Sequence, residues 1–286
     1  MPYRSVFRPD LFRDRSIVVT GGGSGIGRCT AHELAALGAH VVLVGRKPER
    51  LAAVEAEIRE DGGAASHHVC DIREEAKVID TVKAIVAERG RVDALVNNAG
   101  GQFPSPLALI NQKGFETVVR TNLVGGFLFA RECFTQSLRD HGGVIVNIVA
   151  DFWNGMPGMG HSGAARAGMD NFTKTAALEW APAGVRVNAV APGWVASSGL
   201  DTYEGPVRQM IPKLREAVPL KRLATEAEVS AGIVFLLSDA AAFITGETMK
   251  IDGGAPLHSA LWPMPDHDRS KPFEGFHRAK APTVLG

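Results

Sequence analysis

A glycine-rich loop at positions 20–27 is the part of the sequence that points most clearly to chemistry. Its glycines follow the spacing G-x-x-x-G-x-G between a predicted strand and a predicted helix. Glycines let the backbone turn tightly and approach a pyrophosphate, while a helix N-terminus offers unpaired N–H groups and the positive end of its dipole. The loop therefore predicts a dinucleotide site, with these cofactor-binding residues: Gly21, Gly23, Ser24, Gly25, Ile26 and Gly27.

Two basic residues, Arg46 and Lys47, stand at the end of the second predicted strand. In proteins that select NAD, an acidic residue near this point hydrogen-bonds the ribose 2′-hydroxyl. A guanidinium can instead clamp a 2′-phosphate with two hydrogen bonds, and an ammonium adds positive charge. The pair predicts NADP(H) as the cofactor; a solvated basic turn without a ligand is the alternative interpretation.

Seven short apolar runs, rich in β-branched residues, alternate with longer segments of helical periodicity. Because the runs are apolar on both faces, they predict parallel strands that are covered by helices on each side. Strand–helix alternation of this kind predicts an α/β fold with right-handed crossovers and a doubly wound parallel sheet. The predicted strands are 16–20, 40–44, 66–70, 94–97, 144–149, 186–190 and 248–251.

Two local signals predict helix boundaries. An apolar stripe of helical period at 26–37 is followed by Gly38, a residue type that commonly ends a helix. Thr225 and Glu228 have the spacing of a capping box, which predicts that a helix begins there.

The predicted sheet accounts for a single domain at 16–254, preceded by an N-terminal arm at 1–15. Residues 194–223, called the cap below, are rich in Gly and Pro, which predicts a mobile segment beside the site. The C-terminal extension at 255–286 contains several prolines and predicts little regular structure. Its aromatic residues, Phe276 among them, predict packing against something, such as a neighbouring subunit; a partly disordered extension is the alternative.

Composition excludes several classes of protein. The 31 Lys and Arg residues balance the 31 Asp and Glu residues, so no global field attracts nucleic acid or an anionic membrane. No run approaches the roughly 18 apolar residues of a membrane span, and the N-terminal residues lack the apolar stretch of a secretory signal. The three cysteines lie far apart, which suits a reducing compartment and predicts no metal site. The chain is expected to be cytoplasmic, without nucleic-acid or membrane partners.

Further motifs follow the glycine loop in a characteristic order: DI at 71–72, NNAG at 97–100, PG at 192–193, FITG at 243–246 and IDGG at 251–254. With them the chain resembles the short-chain dehydrogenase/reductase family over about residues 16–255. The resemblance implies a Rossmann-type sheet, a nicotinamide dinucleotide and usually a homotetramer, with interfaces from helices near 115–138 and 164–181. It also implies residues that flank the adenine or border the rest of the cofactor: Asp71, Ile72, Asn98, Ala99, Gly100, Pro192, Gly193, Val195 and Ser197.

Three segments resemble particular members of the family more closely. Residues 100–106, 161–168 and 265–268 are similar to the peroxisomal trans-2-enoyl-CoA reductases, to which the 2,4-dienoyl-CoA reductases are related. Bacterial proteins that look like this chain along their whole length are usually described as citronellol/citronellal dehydrogenases. Both groups transfer a hydride on a hydrophobic chain and differ in the bond reduced. The resemblance thus implies an NADP(H)-dependent oxidoreductase for a hydrophobic alcohol or aldehyde, or for an enoyl thioester such as an acyl-CoA.

The family's usual catalytic set, Asn-Ser-Tyr-Lys, is incomplete here. Arg166 stands at the lysine position, Ser162 at the tyrosine position, and Val149 with Ala150 where the serine is expected. Of the four, only the asparagine, Asn122, is present. A guanidinium stays protonated, so Arg166 is expected to hold ribose hydroxyls, stabilise an oxyanion and also bind the cofactor. A serine hydroxyl is a poor general acid near neutral pH, so Ser162 is expected to donate a hydrogen bond to the oxyanion.

Two titratable side chains are candidates for the proton carrier. Tyr203 lies in the cap, and Asp151 follows the fifth predicted strand, where a tyrosine can stand in dienoyl-CoA reductases. The predicted catalytic residues are therefore Asn122, Asp151, Ser162, Arg166 and Tyr203. The predicted substrate pocket is lined by further residues of the cap and by Gln102, Phe103, Phe152, Trp153, Met156 and Trp194.

The incomplete catalytic set also motivates a hypothesis from a different class. The chain would then be a dinucleotide-binding redox sensor or scaffold that turns over no substrate. Cofactor oxidation in the presence of enoyl-CoAs and terpenoid aldehydes discriminates the two hypotheses.

Overall fold

The computed structural model describes residues 2–257 and 261–285. Within these residues, seven parallel strands form one sheet in the order β3-β2-β1-β4-β5-β6-β7. The prediction of a doubly wound, Rossmann-type parallel sheet in one domain is confirmed, and every predicted strand is present with small shifts at its ends. The strands are β1 Ser16–Thr20, β2 His40–Gly45, β3 Ala64–Val69, β4 Ala94–Asn97, β5 Gly143–Ile148, β6 Val185–Pro192 and β7 Thr248–Ile251.

Helices connect the strands and cover both faces of the sheet. No helix in the described ranges is both long enough and apolar enough to cross a bilayer. The α-helices are α1 Gly25–Ala36, α2 Pro48–Glu60, α3 Glu75–Arg89, α4 Gln112–Val119, α5 Gly125–Cys133, α6 Arg139–His141, α7 Gly160–Trp180, α8 Gly205–Met210 and α9 Glu226–Leu237.

Side-chain alternation along the strands divides the hydrophobic core into two layers. In β1, Val18 belongs to one layer, whereas its neighbours Ile17 and Val19 belong to the other. The helices α1, α2 and α9 pack on the Ile17 side, and α3, α5 and α7 pack on the Val18 side. Because both faces are covered, the central strands are apolar throughout, which is the pattern that the sequence shows.

The strand order reverses between β1 and β4, which are neighbours in the sheet. In open α/β sheets, such a switch point leaves a crevice beyond the carboxyl ends of the strands, where ligands bind. The loops that follow β1, β4, β5 and β6 all begin at this edge of the sheet. The topology therefore places the glycine loop at the same edge of the sheet as Asp151 and Tyr203, which lie in the segments after β5 and β6.

Both predicted helix boundaries are confirmed. Gly38 follows α1 with a φ of +92°, a left-handed conformation that glycine adopts without strain. Thr225 Oγ1 accepts a hydrogen bond from the Glu228 N–H, and the Glu228 carboxylate accepts one from the Thr225 N–H. This reciprocal pair is the capping box that starts α9.

The helices α4, α5 and α6 continue one another through two π-helical turns, at Arg120–Val124 and Phe134–Leu138. Single π turns inside a helix are rare and frequently occur at functional sites. Asn122, the one retained member of the family's catalytic set, lies in the first of them.

The cap contains a 3₁₀ turn at Ser198–Thr202, then α8, then a second 3₁₀ segment at Ile211–Ala217. The described part of the C-terminal extension has 3₁₀ turns at Ala255–Leu257 and Thr283–Leu285 and otherwise no helix or strand, as predicted. Phe276 is buried against Tyr3 and Cys29 of its own chain. The prediction that Phe276 packs against something is confirmed, and its partners are the N-terminal arm and α1 of the same chain.

Candidate active site

A cavity of about 540 Å³ opens at the carboxyl edge of the sheet. Its walls come from the segments after β1, β4, β5 and β6, from α7 and from the cap. The structure therefore brings the glycine loop and three of the five predicted catalytic residues to one cavity. The predicted site residues that line it are Gly21, Ser24, Ile26, Asn98, Ala99, Gly100, Asp151, Arg166, Pro192, Gly193, Val195, Ser197 and Tyr203.

The glycine loop has the backbone geometry that a diphosphate needs. Gly21 and Gly25 have φ values of +68° and +56°, which favour glycine. A Cβ on Gly27 would stand 2.4 Å from the Gly21 carbonyl oxygen, so α1 can begin this close to the loop only with glycine there. Ser24 makes no side-chain hydrogen bond to the first N–H groups of α1, which leaves them suited to an anion.

The loop after β4 is tied to the glycine loop by hydrogen bonds. Asn98 Nδ2 donates to the Thr20 carbonyl oxygen at 2.9 Å, and the Asn98 N–H donates to Thr20 Oγ1 at 3.0 Å. The Ala99 N–H donates to the same hydroxyl. These bonds fix the two loops relative to each other across the switch point.

Basic side chains lie beside the glycine loop at the end of β2. Arg46 and Lys47 are exposed there, where the sequence predicts a 2′-phosphate. Sequence reasoning missed a third cation, Arg50, whose Cβ lies 3.2 Å from the place where a Cβ on Gly23 would stand. No motif marks Arg50, because its approach to the loop depends on how α2 packs.

Asp71 and Ile72, which are expected to flank the adenine, are held in place by neighbouring residues. Arg73 donates to the Asp71 carboxylate, with Nη2–Oδ2 at 2.5 Å and Nε–Oδ1 at 2.9 Å. This bond holds the pKa of Asp71 below its ordinary value, and the charge of Arg46 adds to the lowering. Ile72 packs so closely on α5 that a Cβ on Gly125 would stand 2.7 Å from its Cγ1.

Arg166 presents a desolvated cation at the cavity. Its Nη1 donates to the Ile148 carbonyl oxygen at 2.5 Å, and its Nη2 lies 2.6 Å from the place where a Cβ on Gly100 would stand. Its Nε is buried without a hydrogen-bond partner among the described residues. Burial lowers the pKa of Arg166 to about 10, which still leaves the guanidinium charged at neutral pH.

Ser162 and Tyr203 are joined through a third residue, Gln102. The Ser162 hydroxyl donates to Gln102 Oε1 at 2.6 Å, and Gln102 Nε2 donates to the Tyr203 hydroxyl oxygen at 3.2 Å. Ser162 itself is fully buried, whereas Gln102 and Tyr203 line the cavity. Sequence reasoning placed Gln102 in the pocket wall but missed this bridge, because its partners are 60 and 101 positions away.

Asn122 lies behind the loop after β4 and is not among the residues that line the cavity. Its side chain is 2% exposed, and its Oδ1 accepts a hydrogen bond from the Gly101 N–H at 2.8 Å. Its Nδ2 is buried and has no hydrogen-bond partner in residues 2–257 and 261–285. The geometry therefore gives Asn122 the role of holding this loop.

Asp151 is a carboxyl group whose neutral form is favoured. Burial raises its pKa, the charge of Asp252 raises it further, and Lys250 opposes the shift. Its Oδ1 is buried with no hydrogen-bond partner in the described part of the chain. A carboxyl group of this kind can hold a proton at a higher pH than an ordinary aspartate.

The apolar wall differs from the expected one. Gln102, Met156 and Trp194 line the cavity as predicted, but three predicted aromatic side chains, Phe103, Phe152 and Trp153, do not. Phe103 packs edge-on against the His161 ring, Phe152 and Trp153 stack on each other, and the Lys250 ammonium lies over the Trp153 ring. These rings pack within the loops instead. Leu200 of the cap lines the cavity, as predicted for cap residues, and the wall also includes residues that were not predicted: Pro157, Met159 and Ala255.

Known proteins resemble the chain over most of its length. A family profile described as "Enoyl-(Acyl carrier protein) reductase" matches residues 21–256. The peroxisomal 2,4-dienoyl-CoA reductase, (3E)-enoyl-CoA-producing, of Pongo abelii is 36% identical over 258 residues, which cover 89% of this chain and 88% of that protein.

Solved structures extend the comparison to the fold. A citronellol catabolism dehydrogenase of Pseudomonas aeruginosa is 66% identical, with a TM-score of 0.81 and coverage of 88% of this chain and 99% of that one. A putative NAD(P)-dependent gluconate 5-dehydrogenase of Beutenbergia cavernae, with bound NADP, is 33% identical, with a TM-score of 0.82 and coverage of 88% and 100%.

These proteins are named for reactions, so the comparisons do not support the hypothesis of a non-catalytic sensor or scaffold. The profile match, the identity levels and the sheet order agree with the motifs of the sequence. The chain belongs to the short-chain dehydrogenase/reductase family of oxidoreductases, whose fold binds a nicotinamide dinucleotide.

Proposed function

We propose that the protein is an NADP(H)-dependent oxidoreductase that interconverts a hydrophobic alcohol and its aldehyde, with a citronellol-like chain as substrate. The observation that carries this proposal is a single cavity in which the glycine loop, the Arg166 guanidinium and an apolar wall meet. Met156, Met159, Trp194 and Leu200 form a wall that suits a hydrocarbon chain. The similarity to a structure named for citronellol catabolism supports this substrate class.

The choice of NADP(H) rests on charge at the end of β2. Arg46 and Lys47 stand where an acidic residue would select NAD, and Arg50 approaches the glycine loop from α2. A guanidinium and an ammonium favour the additional phosphate of NADP(H). The bound NADP in the structure of the putative gluconate 5-dehydrogenase is in keeping with this choice.

The polar groups at the cavity suit hydride transfer at a carbonyl carbon. When bound, a nicotinamide dinucleotide supplies the hydride in one direction and accepts it in the other. Arg166 is a fixed cation beside Gly100, and it stabilises the negative charge that develops on the substrate oxygen. Its Nε has no acceptor among the described residues but is buried, so the stabilisation comes from the charge of the guanidinium rather than from this donor.

Gln102 orients the Tyr203 hydroxyl for proton transfer to the substrate. Because Gln102 Nε2 donates to the Tyr203 oxygen, the phenol hydrogen remains free to be donated to the substrate oxygen. The Ser162 hydroxyl fixes the orientation of the Gln102 amide by donating to Oε1. Ser162 thus acts through Gln102, whereas the sequence predicts that it donates to the oxyanion directly.

Asp151 is a second candidate for the proton carrier. Two observations favour it: its pKa is raised by burial, and one of its oxygens is unpartnered among the described residues at the cavity. A raised pKa keeps a carboxylic acid protonated closer to neutral pH, as general acid catalysis requires. The pH dependence of the reduction rate in Asp151→Asn, compared with the effect of Tyr203→Phe, shows which of the two residues donates the proton.

A second candidate reaction is the reduction of an enoyl or dienoyl thioester. It is favoured by Ser162 at the tyrosine position and by the similarity to a protein named peroxisomal 2,4-dienoyl-CoA reductase. In that reaction, the same Arg166 cation stabilises the oxygen of the thioester as it becomes an enolate.

Substrate turnover followed by NADPH absorbance tests the proposal. We expect oxidation of citronellol with NADP⁺ and reduction of citronellal with NADPH. Faster turnover of a 2,4-dienoyl-CoA than of citronellal assigns the second reaction instead. Tight NADPH binding without turnover of either class contradicts both assignments.

We also propose that the protein is a homotetramer, as the family resemblance implies. Phe115 of α4, Phe127 of α5 and Leu178 of α7 leave apolar surface exposed on the helices that are expected to form interfaces. Light scattering at micromolar concentration should give the mass of four 30.4 kDa chains. A monomer under these conditions refutes the assembly.

A further inference from the structure

The segment at 282–285, near the end of the C-terminal extension, is hydrogen-bonded to the cap. Thr283 Oγ1 donates to Asp201 Oδ1 at 2.8 Å, and the Val284 N–H donates to the same oxygen at 3.0 Å. The Thr283 N–H donates to Asp201 Oδ2 at 3.1 Å. Both carboxylate oxygens of Asp201 are therefore occupied by one short stretch of chain, and Pro282 beside it is buried.

These bonds favour the ionised form of the carboxylate. The Thr283 hydroxyl, above all, lowers the pKa of Asp201, and the backbone N–H groups of Thr283 and Val284 and the charge of Arg208 add to this lowering, whereas burial opposes it. Arg208 also donates to the Asp201 carbonyl oxygen and lies within 3.5 Å of Thr283 Oγ1. The contact is thus charged and made by several donors, although it is open to solvent.

Asp201 lies in a turn whose neighbouring residues line the cavity. It belongs to the 3₁₀ turn Ser198–Thr202, in which Leu200 lines the cavity and is 7% exposed. Tyr203 follows that turn directly, and its N–H donates to the Leu200 carbonyl oxygen at 3.3 Å. Fixing the Asp201 carboxylate therefore fixes the backbone on both sides of it. This backbone carries Leu200, an apolar residue of the cavity wall, and Tyr203, a polar residue of the site.

Tyr203 has a contact on the opposite side as well. Its hydroxyl oxygen accepts from Gln102, which is oriented by Ser162 of α7. The turn is thus held between two anchors, Gln102 on the cavity side and the segment 282–285 on the outer side. Asp201 itself is not among the residues that line the cavity.

We propose that Asp201 is a positioning residue: by binding the segment 282–285 to the cap, it holds Leu200 and Tyr203 in place against the substrate. This assignment rests on the proposed function, because Tyr203 is there the proton carrier. It predicts that the contact acts on substrate use and leaves cofactor binding unchanged, since no residue of the glycine loop takes part in it.

Variants at both partners test the assignment in the full chain. Asp201→Ala removes all three bonds and should lower kcat/KM for citronellal by roughly tenfold, the usual effect of losing hydrogen bonds to a charged group. Asp201→Asn keeps an acceptor oxygen for two of the bonds and should give an intermediate loss. Asp140→Asn is the matched control, because this carboxylate is exposed and pairs only with the neighbouring Arg139 among the described residues.

Two further readouts separate positioning from a general loss of stability. The Kd of NADPH should stay at the wild-type value in Asp201→Ala, and the loss in kcat should shrink in a Tyr203→Phe background, because the two residues act together. Equal losses with and without Tyr203, or a weaker Kd that accounts for the whole effect, overturn the proposal. Thr283→Val, which removes one bond from the other side, keeps the test available if Asp201→Ala does not fold.

Hydrogen exchange distinguishes a failure of this inference from a failure of the proposed function. If the wild type turns over no substrate, the proposed function has failed, and exchange in peptides covering 198–203 decides the inference alone. Exchange at least several-fold faster in Asp201→Ala and Thr283→Val than in Asp140→Asn supports the contact as the anchor of the turn. Unchanged exchange in both variants overturns it.

Discussion

The cofactor side and the substrate side of the cavity are built in different ways. On the cofactor side, backbone geometry at Gly21 and Gly27 and the ends of parallel strands shape the site. On the substrate side, the site depends on side chains from distant segments, as in the Ser162–Gln102–Tyr203 bridge. A backbone site leaves a local motif in the sequence, whereas a side-chain site is defined only once the chain has folded. Variants on the two sides should therefore affect different quantities.

The largest expected effect lies on the substrate side, at Tyr203, the proposed proton carrier. Tyr203→Phe should lower turnover on the order of 1000-fold, the range of general acid–base catalysis. NADPH affinity should not change, because the Tyr203 hydroxyl is hydrogen-bonded to Gln102 and not to a residue of the glycine loop. Steady-state kinetics with a separate binding titration measure both quantities.

Asp151→Asn provides the matched variant for that prediction. The pKa of Asp151 is raised, so its protonated form persists to higher pH than in an ordinary aspartate. If Asp151 donates the proton, the rate of reduction falls as the pH rises through this raised pKa. Loss of that pH dependence in Asp151→Asn, with a small effect of Tyr203→Phe, would transfer the role to Asp151.

The next largest effect is expected at Arg166. Arg166→Ala should lower kcat on the order of 100-fold, because it removes the donor and charge that stabilise the oxyanion. Arg166→Lys should recover part of the activity. Ser162→Ala should cost less than Arg166→Ala, because Ser162 acts only through Gln102, whereas Arg166 brings its charge to the cavity. Melting temperatures control for folding. Wild-type kcat in Arg166→Ala at saturating cofactor would move the oxyanion role to another group.

On the cofactor side, Gly27→Ala should weaken NADPH binding by about 30-fold, in line with the cost of forcing a methyl group into packed surroundings. The added Cβ would stand 2.4 Å from the Gly21 carbonyl oxygen, so the loop or α1 must move. Gly101→Ala is the control, because a Cβ there meets nothing within 4 Å. Equal binding by Gly27→Ala and the wild type, by fluorescence titration, contradicts the assigned loop geometry.

The smallest expected effect concerns the choice between NADP and NAD. Arg46→Asp should weaken NADPH binding by roughly tenfold and reverse the preference, because the 2′-phosphate loses a charge-assisted partner and meets a carboxylate. Lys83→Asp, an equal change of charge at an exposed position of α3, should leave the preference unaltered. A wild-type protein that binds NADH more tightly than NADPH would show that Arg46 and Lys47 are only a basic turn.

Most of the fold follows from the sequence, because its signals are local. Continuous apolar runs mark the seven strands, Gly38 marks the end of α1, and the Thr225–Glu228 pair marks the start of α9. The switch point follows from the alternation of strands and helices together with the handedness of the crossovers. The residues of the glycine loop follow with it, since they occupy consecutive positions.

The substrate side could be predicted only in part. The sequence identifies Phe103, Phe152 and Trp153 as large apolar side chains, but the turns of their loops decide that they pack on His161, on each other and under Lys250. The bridge through Gln102 and the contact between Asp201 and Thr283 join segments far apart in the chain. Neither contact leaves a periodic or consecutive pattern in the sequence, so neither could be predicted before the fold was known.

The proposed reaction is hydride transfer between NADP(H) and a hydrophobic alcohol or aldehyde. The most direct test is the kcat/KM for citronellol oxidation by the wild-type protein, measured with NADP⁺ and with NAD⁺ under the same conditions. We expect turnover with both, at least tenfold more efficient with NADP⁺, since the 2′-phosphate gains a charge-assisted partner. The absence of citronellol turnover with either cofactor, or a clear preference for NAD⁺, would contradict it.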